Sequence, residues 1–330
     1  MKKMKKVIML VLVMAVAIGA AGLTACGSGS DNGSSGKTET VNIAMQHGMA
    51  YAPLKVMEKK KLVQKYYKGA KVKYSTLNSG SAITEGMNSG DIQFAALGVA
   101  PAVTAVVSDV PAEICANVSA QPQALMTNQS DINSVKDIGK KDKIALVNIG
   151  SIQHVMLGML AQKELGDAHA LDDNIAAMSH PDGMSSLESG SVQLQLTTSP
   201  YVFKEADMDG IHEVAGLDSV WPRGQSFIVM MALDDVYKNN KKLYDAVLKA
   251  ESEAIDWINN HPDEAAKLLC KEEGVSAATM KKWLQDPDCT YSTTCKGVFK
   301  TASFMADNGF LESKGPKAFG DLVFDGVKGN

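Results

Sequence analysis

Apolar positions along the chain keep two spacings, short nearly continuous runs and longer stretches with an apolar residue every three or four positions, the signatures of strand and helix. Residues 41–45 read as a strand, 52–67 as a helix ending in lysine-rich turns, and 71–75 as a second strand. Residues 144–147 predict a further strand, which enters Asn148-Ile149-Gly150-Ser151 and then a helix whose Ile152, Val155, Met156, Met159 and Leu160 form one stripe. Leu243, Val247, Leu248, Ile255 and Ile258 mark a long amphipathic helix. It halts at Asn259-Asn260-His261-Pro262, because the residue before a proline resists helical φ/ψ. Strands alternate with helices, which predicts an α/β fold.

A repeat roughly 100 residues apart runs beneath this alternation. Met87-Asn88-Ser89-Gly90-Asp91-Ile92-Gln93-Phe94 is echoed by Leu187-Glu188-Ser189-Gly190-Ser191-Val192-Gln193-Leu194, and each copy runs on to a proline, Pro101 or Pro200. In each, a helix is expected to stop at a glycine free to take positive φ, a buried strand follows, and a loop opens the next helix with proline near its first turn. The two halves are thus expected to share one αβα unit.

The amino terminus follows a different logic. Lys2, Lys3, Lys5 and Lys6 precede an uncharged run over residues 7–21, and Leu23-Thr24-Ala25-Cys26 closes it, the order of regions in a cleavable export signal. Fifteen residues fall short of the roughly 20 that span a bilayer. The segment resembles the bacterial lipoprotein signal, which implies that Cys26 becomes an acylated first residue and anchors the protein to a membrane. Residues 27–40 read GSGSDNGSSGKTET, without an apolar side chain, and are expected to form a flexible tether.

Charge and cysteine content narrow the function. Against 37 Asp and Glu stand 33 Lys and Arg, 29 once the four leader lysines are removed, so the mature chain sits near −8 and carries no basic tract for nucleic acid. About 305 mature residues exceed one comfortable core, so two lobes are expected. Cys115, Cys270, Cys289 and Cys295 form no CxxC pair. A bridge between Cys289 and Cys295, with Cys270 competing, and free buried thiols are both open.

Parallel α/β sheets place ligands where strands end and helices begin. Four such turns are small and polar: Asn78-Ser79-Gly80-Ser81, Gly98-Val99-Ala100-Pro101, Gly150-Ser151-Ile152-Gln153-His154 and Thr198-Ser199-Pro200-Tyr201. Helix starts hold anionic groups without a formal cation, although serine at such places also serves as an ordinary cap. His47, His154 and His180 are placed where they could face the same cleft, as hydrogen-bonding groups or simply exposed side chains rather than metal ligands, since no i,i+4 pair or HExxH motif accompanies them. Arg223, the sole arginine, is a possible anion contact or a surface salt bridge. The 18 methionines are expected mainly to fill the core.

At these residues the chain resembles a known family. SGSAITEGMNSGDIQFAALGVAP, DIGKKDKIALVNIGSIQH and SGSVQLQLTTSPY are similar to the periplasmic-type solute-binding proteins of nitrate, sulfonate and taurine ABC importers, a group that includes thiamine-precursor binders. The resemblance implies a two-lobed class II binding-protein fold, each lobe a mixed sheet flanked by helices, joined by two crossing segments. Mapped onto this chain, it gives a signal peptide at 1–25, lipidated Cys26 and tether to 40, first-lobe segments at 41–118 and 225–330, a crossing at 119–130, and the second lobe at 131–224. The returning crossing begins near 225. The resemblance implies ligand contacts at Ser79, Gly80, Ser81, Val99, Ala100, Ser151, Gln153, His154, Pro200 and Tyr201, to which the histidine reading adds His47 and His180. One departure is that Gln93 stands where the family commonly has Asp, with Gln193 in the second copy.

The expected activity is capture of a small anion such as a sulfonate, taurine or nitrate, delivered to an ABC permease and its ATPase, by a monomer needing no cofactor. A pyrimidine or other heteroaromatic ligand is the alternative, with Tyr51, Tyr201 and Trp221 as stacking candidates. The related yeast-type pyrimidine synthases are enzymes, but their cysteine-rich iron motif does not occur here.

Overall fold

Two sheets organise the chain, and each is assembled from the same local unit. The computed structural model describes residues 40–330. It begins with β1 (Thr40–Met45), α1 (Ala52–Lys59), α2 (Leu62–Tyr66), β2 (Lys71–Thr76), α3 (Gly80–Asn88), β3 (Phe94–Gly98), α4 (Val99–Val107) and β4 (Ala112–Ala120). The chain crosses through Gln121 and Pro122 into β5 (Gln123–Thr127), β6 (Ile144–Leu146), α5 (Ile152–Leu165), β7 (Ile175–Ala177), α6 (His180–Glu188), β8 (Leu194–Thr198), α7 (Tyr201–Ala206) and β9 (His212–Val214). It returns as β10 (Ile228–Leu233), then α8 (Asp234–Asn239), α9 (Lys241–Asn260), α10 (Pro262–Leu269), α11 (Ala277–Leu284), β11 (Thr290–Tyr291) and α12 (Val298–Asp307). The export signal, Cys26 and nearly all of the tether lie outside the described residues.

The first sheet has the order β11-β4-β10-β3-β1-β2 and the second β7-β6-β8-β5-β9. In the first, β2, β1 and β3 are parallel and β10 lies antiparallel against β3. In the second, β7, β6 and β8 are parallel and β5 lies antiparallel against β8. Each lobe therefore has three parallel strands closed by a fourth of opposite sense, and that fourth strand arrives from the other lobe.

Burial follows position in these sheets. Every residue of β3 (FAALG) and β10 (IVMMAL) is buried, as a strand covered on both faces requires. Edge strand β2 exposes Lys71 and Lys73, charges that discourage pairing with another chain. Met45, Met57, Met87, Met156, Met230, Met231 and Met280 are fully enclosed, so these methionines fill the core. Burying a side chain of this size contributes about 1.5–3 kcal/mol.

The repeated octad has a structural explanation. Gly90 and Gly190 take φ of 80° and 76°, turning the chain out of α3 and α6 into β3 and β8. Gln93 then accepts from the Asn42 amide (2.9 Å) and donates to the Gly90 carbonyl (2.7 Å). Gln193 does the same with the Lys143 amide (2.9 Å) and the Gly190 carbonyl (3.4 Å). Donating to the glycine carbonyl uses an amide N–H that an ionised aspartate lacks, so Gln at this place ties the turn to the neighbouring strand.

Residues 52–67 are not one helix. Lys61 takes φ 53°, α1 has ended at Lys59, and α2 restarts at Leu62, whose burial with Val63 against α9 favours the break. Cys115, Cys270, Cys289 and Cys295 are all free thiols. Among the described residues no helix is long and apolar enough to cross a membrane.

Candidate binding cleft

Helix starts from both lobes converge on one cavity. The cavity is small, about 30 Å³, room for about two waters. Gln46, His47, Tyr51, Gly80, Gly98, Pro101, Phe227 and Ile228 line it from the first lobe, and Val147, Ser151, Ile152, Gln153, His180 and Thr198 from the second. No Asp, Glu, Lys or Arg is among them.

The sequence builds this place by capping helices. Ser79 Oγ accepts from the Ala82 amide (3.2 Å), Ser151 Oγ from the His154 amide (3.2 Å) and Ser179 Oγ from the Asp182 amide (3.4 Å), opening α3, α5 and α6. A cap satisfies one donor of a first turn, and the remaining amides keep their partial positive charge for something outside the helix. Gly80 is needed for closeness, since a Cβ there would sit 2.6 Å from Pro101 Cγ at the start of α4. Tyr51 donates to Gln46 Oε1 (3.0 Å), which fixes the amide at the end of β1.

His180 supplies the most directed group. Gln153 Nε2 lies 3.3 Å from His180 Nε2, and Tyr201 stacks on the ring at 5.6 Å. A carboxamide nitrogen only donates, so Nε2 accepts and the ring proton resides on Nδ1. Nδ1 is buried without a protein partner. Burial, with His47 nearby, lowers the imidazole pKa to about 4, so the ring is neutral near pH 7. His180, a residue of the cavity wall, thus carries a neutral N–H that no protein group answers.

The other expected contacts fall in several places. His47, Gly80, Ser151, Gln153 and His180 line the cavity. Ser79 caps α3 behind it and Ser81, exposed, lies with its hydroxyl 3.0 Å from that of Ser79. Val99 and Ala100 are enclosed in the first turn of α4, with the Val99 amide donating to Phe227 O (3.1 Å). Tyr201 belongs to an adjoining chamber of about 110 Å³ that shares Gln46 and His47 with the first and adds Lys55, Glu272 and Glu273. Pro200 precedes α7, and its ring approaches Gly48 of the first lobe. Arg223 is exposed and pairs with Asp288 (3.0 Å) in a separate groove that also contains Trp221. Gln46, Phe227 and Ile228 had no motif to announce them. A polar residue closing the first strand is the one signal pointing to Gln46.

His154 is turned away from the cleft. Its Nδ1 accepts from the Gly150 amide (3.0 Å), so Nε2 carries the proton shared with Asp172 Oδ1 (3.0 Å). His154, His169 and Asp172 place ligand-type atoms within 4.8 Å of one another. That bonding leaves His154 no lone pair toward the group, so the three form a hydrogen-bonded cluster and fit a metal poorly.

Comparison with known proteins places this geometry. Residues 34–271 match the model of the NMT1-like family. The chain belongs to that family. It is 25% identical over 252 residues to a Brachyspira hyodysenteriae protein named as an ABC transporter periplasmic binding protein, a match covering 72% of this chain and 70% of the relative. The periplasmic aliphatic sulphonate binding protein SsuA of Escherichia coli superposes with a TM-score of 0.66 at 19% identity, covering 88% of this chain and 94% of that one. The periplasmic nitrate-binding protein NrtA of Synechocystis gives 0.68 at 14% identity, covering 84% and 83%. The NMT1-like chain therefore has the periplasmic binding protein fold.

Proposed function

We propose that this NMT1-like protein is the substrate-binding component of an ABC importer, closing two lobes on a small solute and handing it unchanged to a permease driven by an ATPase subunit. The observation that carries this reading is the cavity itself: helix starts from both lobes, a buried neutral N–H at His180 and no charged side chain. Such a site grips an oxyanion through dipoles, so a sulfonate, taurine or nitrate head is the favoured solute class. The named relatives support the assignment to import, and one of them binds aliphatic sulphonates. Solute binding favours the closed form and presents it to the permease. The reading includes a monomer on the extracytoplasmic side, held to the membrane through acylated Cys26.

Tyr51 in the wall and Tyr201 stacked on His180 favour a flat heteroaromatic as the second reading. Calorimetry against taurine, alkanesulfonates, nitrate and aminopyrimidines separates the two. The anion reading expects a sulfonate or nitrate to bind and His180→Ala to weaken it at least tenfold, roughly the worth of a buried hydrogen bond, with the melting temperature little changed. Binding of a neutral ring alone overturns the anion assignment, and recovery of a chemically altered solute overturns the transport reading.

A further inference from the structure

A second constellation joins the lobes away from the cavity. His169 follows α5 in the second lobe, and Asn308 follows α12, which packs on α4 of the first. His169 Nδ1 lies 2.8 Å from Asp172 Oδ2, and Nε2 lies 2.7 Å from the Asn308 carbonyl oxygen. Both partners only accept. A neutral imidazole has one N–H and answers one of them, whereas the imidazolium answers both. Phe310 continues the contact, stacking on His169 at 4.7 Å and meeting His154 edge-on at 5.0 Å.

We propose that His169, Asp172 and Asn308 form a proton-dependent clasp that favours the closed arrangement of the lobes when His169 is an imidazolium. The charged groups facing the ring are Asp172 and Asp167 of its own loop, with His154 of α5 joined through Asp172. The C-terminal segment presents the Asn308 carbonyl and the uncharged Phe310 ring. Asp172 stays with His169 whether the lobes are together or apart. The Asn308 carbonyl and the Phe310 ring come from the other lobe, so opening takes them away.

The direction of the pH effect follows. The Asp172 hydrogen bond, then the Asn308 carbonyl, raise the His169 pKa above its ordinary 6.5. A group whose pKa is higher closed than open favours closure fully below the open-state pKa, and that preference fades as pH rises through the closed-state pKa. Each unit of difference is roughly a tenfold change in the closed-to-open ratio.

The test uses the ligand-free protein and is independent of which solute binds. NMR of protein labelled with 15N-histidine follows the His169 ring, and small-angle scattering follows lobe opening from about pH 5.5 to about pH 8.5. The expected result is a His169 midpoint above 6.5, a radius of gyration that rises through that midpoint, and a flat profile in His169→Gln. Asp172→Asn, a second variant, moves the opening midpoint to lower pH. A ring that titrates at or below 6.5, or a His169→Gln profile matching the wild type, overturns the clasp. A protein that binds none of the tested solutes gives these same readouts, so failure of the transport reading is distinguishable.

Discussion

Replacing Gly98 by alanine tests whether the two lobes meet as described. Gly98 ends β3 with φ −58° and ψ 148°, a conformation open to any residue, so the backbone accepts alanine without strain. An added Cβ would lie 2.9 Å from Ile152 Cγ2 and 3.1 Å from Ile152 Cβ, where ordinary carbon contacts are about 3.5–4.0 Å. Ile152 opens α5 in the opposite lobe and is 3% exposed. As a β-branched residue in a helix it has little rotamer freedom to step aside, so the missing half-ångström or so must come from the lobes parting. Overpacking of this kind costs ~1–3 kcal/mol, a factor of about 5–150 in Kd. The cost falls on the closed state alone, because the clash is between lobes. Calorimetry should show that loss with the strongest-binding solute, while the ligand-free melting temperature moves little. Ile152→Ala in the same chain makes room for the new methyl, and a double-mutant cycle should recover most of the loss. Unchanged affinity in Gly98→Ala, or a cycle with no coupling, would refute the contact as a feature of the loaded protein.

Three further outcomes are expected. Glu205 is fully buried and its carboxyl is pushed up to about 8 by that burial, so it opposes folding increasingly as pH rises from the ordinary 4.5 toward about 8; Glu205→Gln should flatten that decline in thermal melts and raise the melting temperature at the alkaline end. His154→Gln should cost ~1–3 kcal/mol in denaturant unfolding through the Gly150 and Asp172 bonds, yet leave solute affinity within about twofold, and a large affinity loss would return His154 to the cleft. Ser79→Ala and Ser151→Ala should each lose about 1 kcal/mol of stability as helix caps, but only Ser151→Ala, whose side chain lines the cavity, should also weaken binding by calorimetry.

The alternation of elements and the duplicated αβα unit were legible because apolar spacing and the two helix-ending glycines are local properties. So were the helix starts that line the cavity, announced by Ser79 and Ser151 ahead of apolar runs. Side-chain direction was not. From Ile152 to Ala161 every residue of α5 is buried, so the helix has no wet face to orient it, and nothing in the spacing tells Gln153, in the cavity wall, from His154, turned toward Asp172. The break at Lys60 and Lys61 was equally hidden, since lysine carries no signal for positive φ and the reason lies in α9, nearly 200 residues on. Arg223 shows the same limit: its partner Asp288 is distant in sequence, and that pairing draws the guanidinium to an outer groove.

The placement of β10 has a consequence for how the polypeptide matures. All five strands of the second sheet lie between Gln123 and Val214, so that sheet has every strand it needs before β10 emerges. The first sheet is still in two pieces then, because β10 joins β3 to β4 and no earlier strand fills the gap, and its edge strand β11 comes later still. A chain that emerges amino terminus first therefore completes the inserted half first and leaves the half that began earlier with two open strand edges until its keystone arrives.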